Sequence, residues 1–258
     1  MTELIHDLKI LKHGYGVVGI KQSFEDEGVV LDDVITMRRI TELAGLKLYI
    51  KIGGCEANSD INTCEKLGVD AIIAPMIESE FAMKKYVEAS QHTSMEKYFV
   101  CETKTAGQNI DKIIESSQTI HPDGGICGFL DGVVIGRSDY CKSLDLSKSE
   151  VNSPSVAHKI ECIAREIKRK GLFVTMGGNI SIDSVDLIEH LYSENLLDKI
   201  ETRNVVIDLR YGGNGCTLDE ALTLALDFEI KWLKYKAQNY LRTGNSYLGR
   251  ADLLEKRK

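Results

Sequence analysis

Short apolar runs recur along the chain, and a segment of helical periodicity follows nearly every one. The runs are GVVGIK (16–21), KLYIKI (47–52), DAIIAPMI (70–77), YFVCET (98–103), GVVIG (132–136), LFVTM (172–176) and NVVIDL (204–209). They are rich in Val and Ile and lack strict polar alternation, which suits strands covered on both faces in a parallel sheet. Asp32 or Asp33, Ser59, Ser79 and the pair Ser153-Pro154 stand where the intervening helices should start. Gly45, Gly68 and Gly171 stand where helices should stop, each just before a strand. Thr217 and Glu220 form a capping-box pattern for a long last helix ending near Tyr240.

Polar residues close the apolar runs. Glu25, Lys51, Glu78, Glu102 and Arg137 follow one another at 26, 27, 24 and 35 residues, and Asp208 ends the last run. A β/α unit takes about 30 residues, so this spacing predicts an α/β fold of the TIM (β/α)8 barrel type. It makes residues 1–258 a single domain with a C-terminal helical extension from about 217. The strand ends of such a barrel gather at one mouth, where active sites lie. A doubly wound sheet is the competing fold, but the chain has no GxGxxG after its first strand and no GxxxxGK[ST]. Seven strands are evident rather than eight. The first strand is therefore expected to be degenerate, within residues 4–12, or missing.

Composition narrows the function. With 43% hydrophobic and 28% charged residues, the chain reads as globular. Its net charge of −7 and the lack of a basic stretch argue against a nucleic-acid partner. No apolar run approaches the length of a membrane span, and the opening MTELIHDLKILKHG does not read as a secretory leader, so the cytoplasm is the expected compartment. Seven cysteines, an odd number with no CxxC, point to reduced thiols rather than a disulfide framework or a structural zinc site.

Glu102 and Asp139 carry the sharpest chemistry. Each lies just beyond a buried strand, and the two strands are consecutive. Two carboxylates completed by water and substrate oxygens suit a hard ion such as Mg²⁺ or Mn²⁺; a rim residue and a helix cap are the plainer alternative. Lys21 and Lys51, with Lys104 less well placed, also allow a Schiff-base aldolase. The glycine clusters Gly53-Gly54, Gly177-Gly178 and Gly212-Gly213-x-Gly215 read as tight turns or as backbone donors for a ligand.

From about Gly16 to Ser147, and more weakly to Gly215, the chain resembles the HpcH/HpaI aldolase and citrate lyase β-subunit family of metal-dependent lyases. The motifs are Cys101-Glu102-Thr103 for the family's Ile-Glu-Thr strand end, and Gly136-Arg137-Ser138-Asp139 for its Gly-x-x-Asp. Ala74-Pro75-Met76-Ile77-Glu78-Ser79 and the acidic SFEDEG segment, with Glu25, Asp26 and Glu27, complete the set. The resemblance implies metal ligation by Glu102 and Asp139. It implies cleavage of a 2-keto acid or sugar-acid-like carboxylate through a metal-stabilised pyruvate enolate.

The family's histidine beside the acidic motif is absent, so Glu25, Glu27 or a metal-bound water takes the role of base. The family's carboxylate-gripping arginine corresponds to Lys51. Arg137, Glu78, Gly136 and, in the late loops, Arg210, Gly212 and Gly213 are the expected substrate contacts, with a surface salt bridge the plainer reading of Arg137. The partner implied is a small anionic carboxylate, and the assembly a homo-oligomer, trimer or hexamer, built through the C-terminal helix. Alternatives are a citryl- or malyl-type acyl-CoA lyase, a phosphoenolpyruvate-type mutase or transferase, and a ligand-binding barrel without turnover.

Overall fold

The computed structural model describes residues 1–25, 29–120, 126–211 and 215–257. Helix α1 (Thr2–Tyr15) leads into β1 (Val17–Ser23), α2 (Leu31–Ala44), β2 (Lys47–Lys51), α3 (Asn58–Lys66), β3 (Ala71–Ala74), α4 (Glu80–Ser90), β4 (Glu96–Cys101) and α5 (Lys104–Glu115). A two-stranded excursion, β5 (Thr119–Ile120) and β6 (Ile126–Cys127), precedes β7 (Gly132–Gly136), α6 (Arg137–Ser143), α7 (Pro154–Arg169), β8 (Phe173–Gly177) and α8 (Val185–Ser193). β9 (Lys199–Glu201), β10 (Val205–Asp208) and α9 (Leu218–Glu255) complete the chain.

Eight strands close a barrel in the order β1-β2-β3-β4-β7-β8-β9-β10, with β10 returning to β1. Seven of them run parallel, and β10 runs antiparallel to both β9 and β1. The expected barrel is present, but its eighth strand is not within residues 4–12, which lie in α1 and bury Leu4, Leu8 and Leu11. It is β9, three residues long, too short for its apolar pattern to stand out. Only Thr202–Asn204 separates β9 from β10, too few residues for a crossover, so the chain must turn back as a hairpin.

The strands bury apolar residues on both faces. Leu48 and Ile50, Ile72 and Ala74, Phe99 and Cys101, and Val133 and Ile135 join the main core shared with the helices. The alternate residues face inward. Tyr49, Ala71, Ile73, Tyr98, Val100, Val134 and Val206 form a separate plug, with the Tyr49 and Tyr98 rings edge to face at 6.0 Å. The plug is possible because β1 carries a glycine, Gly19, where the Tyr49 ring lies. A methyl on Gly19 would lie 2.5 Å from Tyr49 Cε2 and 2.8 Å from the Lys47 carbonyl oxygen. Gly19→Ala is therefore expected to cost about 1–3 kcal/mol by overpacking, measured by urea denaturation.

The helix signals hold in part. Ser79 accepts the Ala82 N–H, Pro154 opens α7, and Thr217 with Glu220 forms the capping box of α9. α2 starts one residue before Asp32, and Ser59 lies inside α3 rather than capping it. α9 does not stop at Tyr240 but continues to Glu255. Its inner part buries Ala221, Leu222, Ala225, Phe228 and Trp232. Farther out, Asp33 on α2 holds the helix through Lys236 at 3.1 Å and the Tyr240 hydroxyl. Among the described residues no helix is long and apolar enough to cross a membrane.

Candidate active site

The C-terminal ends of the seven parallel strands open into a cavity of about 370 Å³. Lys21 of β1, Lys51 of β2, Gly136 of β7 and Glu201 of β9 line it, with Glu102 directly after β4. Asp139 enters from the first turn of α6, which starts directly after β7. β4 and β7 are hydrogen-bonded neighbours, so Glu102 and Asp139 share this one mouth as the sequence predicts.

Glu102 is 3% exposed. One carboxylate oxygen accepts the Met76 backbone N–H at 3.0 Å, and the other faces Lys51 Nζ at 3.4 Å. Burial raises its pKa above the usual carboxylate range, against the pull of Lys51, and Asp139 adds to the rise. Met76 holds a positive φ of 55° on an exposed side chain, a strained conformation that aims its N–H at Glu102. Gly136 leaves the space Glu102 occupies, since a methyl there would lie 3.0 Å from Glu102 Cβ. Asp139 is less buried and pairs with Lys142 at 2.8 Å. That surface pair contributes little and can open.

Across the mouth, Lys21 forms an ion pair with the buried Glu201. The hairpin turn after Glu201 is fixed by Glu229 on α9, which accepts from Thr202 Oγ1 at 2.5 Å and from the Asn204 N–H at 2.6 Å. Glu201 and Glu229 were not singled out in the sequence, because β9 is so short. A signal existed: alternating Lys199-Ile200-Glu201, then the polar Thr202-Arg203-Asn204, then VVIDL, is a hairpin pattern.

The remaining sequence-derived residues divide. Glu25 sits on the exposed turn after β1, with its carboxylate beside Gly53 and Asp60 of α3, and does not line the cavity. Glu27, Gly212 and Gly213 lie outside the described residues. Glu78 accepts from Thr103 Oγ1 at 2.5 Å and does not line the cavity. Lys104, at the start of α5, is exposed and also away from it.

Two expectations are corrected. Arg137 is neither a surface residue nor a substrate contact: it is 0% exposed. Its guanidinium donates to Asn152 Oδ1 at 2.6 Å, Gly178 O at 3.0 Å, Ser184 Oγ at 3.2 Å and Gly177 O at 3.3 Å. It thus ties the start of α6 to the loop after β8, and burial brings its pKa down to about 10. Arg210 is not in the mouth either. Because β10 runs backwards, Asp208 and Arg210 emerge at the other end of the barrel, where Arg210 grips Asp208 through two nitrogens. The same reversal removes Asp208 from the ring of mouth residues.

The donor set fits a hard divalent ion. A buried carboxylate with a raised pKa gains from an added cation, and a second carboxylate stands on the neighbouring strand end. Among the described residues no group of three or more His, Cys, Asp or Glu gathers around one point. Glu102 and Asp139 would therefore be the protein ligands, with the other positions left to water and substrate, a pattern common for Mg²⁺.

Neither a protein-family model nor a curated protein sequence matches the chain. Solved structures do. An HpcH/HpaI aldolase from Desulfitobacterium hafniense superposes with a TM-score of 0.61 at 12% identity, over 78% of this chain and 82% of that one. The citrate synthase SbnG gives 0.59 at 14% identity, over 91% and 90%. An HpcH/HpaI aldolase/citrate lyase family protein from Burkholderia cenocepacia gives 0.59 at 14%, over 77% and 82%. The chain has the barrel fold of the HpcH/HpaI aldolase and citrate lyase structures.

Proposed function

We propose that the protein is a divalent-metal-dependent carbon–carbon lyase that cleaves a 2-keto acid or sugar-acid-like carboxylate through a pyruvate enolate. The observation that carries this reading is the sharing of one mouth by Glu102 and Asp139, beside Lys51 and Lys21. A Mg²⁺ or Mn²⁺ held by the two carboxylates would supply Lewis-acid stabilisation of the enolate charge. Lys51 holds the substrate carboxylate as a point charge, where the related arginine would use a fork. Glu25 on the turn after β1, Glu27 or a water takes the proton from the hydroxyl beyond the scissile bond. The carbon–carbon bond then breaks, an aldehyde leaves, and the electron pair remains on the pyruvate unit until its methyl carbon is protonated. The strand-end cage of Met76 N–H, Gly136 and Lys51 keeps Glu102 in place throughout.

The outer half of α9 fits a homo-oligomer, trimer or hexamer. Leu241, Tyr247, Leu248, Leu253 and Leu254 are more than half exposed there. Sedimentation of the full chain beside one truncated after Asn239 tests this: the truncated chain should run as a monomer.

The activity test measures pyruvate, oxaloacetate or acetyl-CoA release from 4-hydroxy-2-keto acids, sugar acids and acyl-CoA esters, with Mg²⁺ or Mn²⁺ and with EDTA. The likeness to a citrate synthase adds the condensing direction to the panel. Turnover that vanishes with EDTA and in Glu102→Ala and Asp139→Ala supports the reading. Turnover unaffected by EDTA, with a borohydride-trapped adduct at Lys21 or Lys51, replaces it with Schiff-base chemistry. Silence across the panel despite tight metal binding makes the barrel a binding protein.

A further inference from the structure

At the end of the barrel away from Glu102, beneath the tyrosine plug, lies a second cavity of about 280 Å³. Four aromatic rings line it, Tyr49, Tyr98, Phe173 and Tyr211, together with Lys199 and Arg210 and, beside them, Lys47, Glu96, Asp131 and Asp208. This end of a barrel ordinarily serves stability rather than function, so two features of the lining stand out.

The first is Lys199, which is 6% exposed. Its ammonium lies 5.0 Å from the Phe173 ring centroid and 5.5 Å from that of Tyr98, and donates to the Tyr98 hydroxyl at 3.3 Å. No carboxylate among the described residues forms an ion pair with it. The acids around the cavity are engaged elsewhere: Glu96 with Lys47, Asp208 with Arg210, and Asp131 with the Lys97 N–H at 2.7 Å. Burial lowers the Lys199 pKa, against the pull of Glu96 and Asp208. The second feature is Tyr49. It is 3% exposed, and its hydroxyl oxygen has no hydrogen-bond partner among the described residues. A buried unpaired hydroxyl costs about 1–3 kcal/mol, which a ligand oxygen would recover.

We infer that this lower cavity binds a small aromatic monocarboxylate of about benzoate size, with its carboxylate between Lys199 Nζ and the Tyr49 hydroxyl and its ring against Phe173 and Tyr98. The charge follows from Lys199, which is the cation of the lining without a direct ion pair among the described residues, since Lys47 pairs with Glu96 and Arg210 with Asp208. Glu96 and Asp208, which line the same cavity, repel the second charge of a dianion such as phosphate or succinate. The ring follows from the walls, whose flat apolar faces reward a flat apolar ligand. Access is open, since Phe173 is 37% exposed and Tyr211 68% exposed.

The test titrates the full chain with benzoate by calorimetry, with phosphate and succinate as comparison anions. NOEs from benzoate protons locate the ligand. Saturable 1:1 binding of benzoate alone is expected, with NOEs to Phe173 and Tyr98. Affinity should fall at least about tenfold in Lys199→Met and about three- to tenfold in Tyr49→Phe, and stay unchanged in Glu102→Gln. Tyr49→Phe removes only the unpaired hydroxyl and keeps the plug, so it reports even if Lys199→Met fails to fold. No saturation at about 10 mM benzoate, equal binding in Tyr49→Phe, equally tight phosphate, or loss of binding in Glu102→Gln would each overturn the assignment.

Discussion

Glu102→Gln should lower turnover about 10³-fold, the scale seen when one preorganised charge-stabilising group is lost, and at the same time make the fold more stable at neutral pH. The two effects share a cause. Burial raises the pKa of Glu102 above its ordinary 4.5, so the folded protein holds that proton more tightly than the unfolded chain does. For an acid shifted upward, stability is greatest below the unfolded pKa and falls as pH rises through the folded pKa. At pH 7 the ionised carboxylate is therefore a net cost, and its amide isostere, which still accepts the Met76 N–H, removes it. A gain of about 1 kcal/mol corresponds to roughly 2–4 °C in Tm. Thermal melts of both proteins from pH 4 to 8 (about four units) should diverge as pH rises and converge at the acid end. A variant that melts below the wild type at neutral pH would show that Lys51 and the Met76 N–H outweigh burial.

Arg137→Met should act on stability, with a loss of about 4 kcal/mol and a fall in Tm of about 10 °C. The guanidinium is buried and serves carbonyls of Gly177 and Gly178 together with Asn152 and Ser184. Removal leaves several buried acceptors without a donor at once. Arg137→Lys keeps the charge but not the fork, so it should recover little. Because Arg137 opens the helix that carries Asp139, the folded fraction should also bind metal more weakly, read by metal titration. A variant that melts like the wild type but shows a tenfold higher KM would restore the substrate-contact role that its place in the motif suggests.

The division between sequence and structure runs through particular residues. Glu102 and Asp139 are legible because each depends on its own strand end and on the two strands being neighbours, which consecutive β/α units ensure. Lys51 is legible for the same reason. Arg137 is misread because sequence shows that an arginine stands beside Asp139 but not which way its side chain turns. Inside the motif, parity aims Gly136 at the mouth and sends the next side chain under the loops. Arg210 and Asp208 are misread because direction along a strand is not a local property. NVVIDL is an apolar run whichever way it points, and three residues between β9 and β10 reverse it.

What the sequence by itself determined, then, is the succession of buried strands and helices, the closed barrel they imply, and the carboxylate pair at its mouth. These follow from local periodicity and from where polar residues end apolar runs. Only the tertiary structure decided which end of the barrel each late residue reaches, that Glu201 and Glu229 join the mouth, and that Lys199 lies buried beneath Tyr49 and Tyr98. Those outcomes depend on closure of the barrel, which brings together residues as far apart as Lys21 and Glu201. Their pairing is set by strand register and direction, and neither quantity is written in any one stretch of chain.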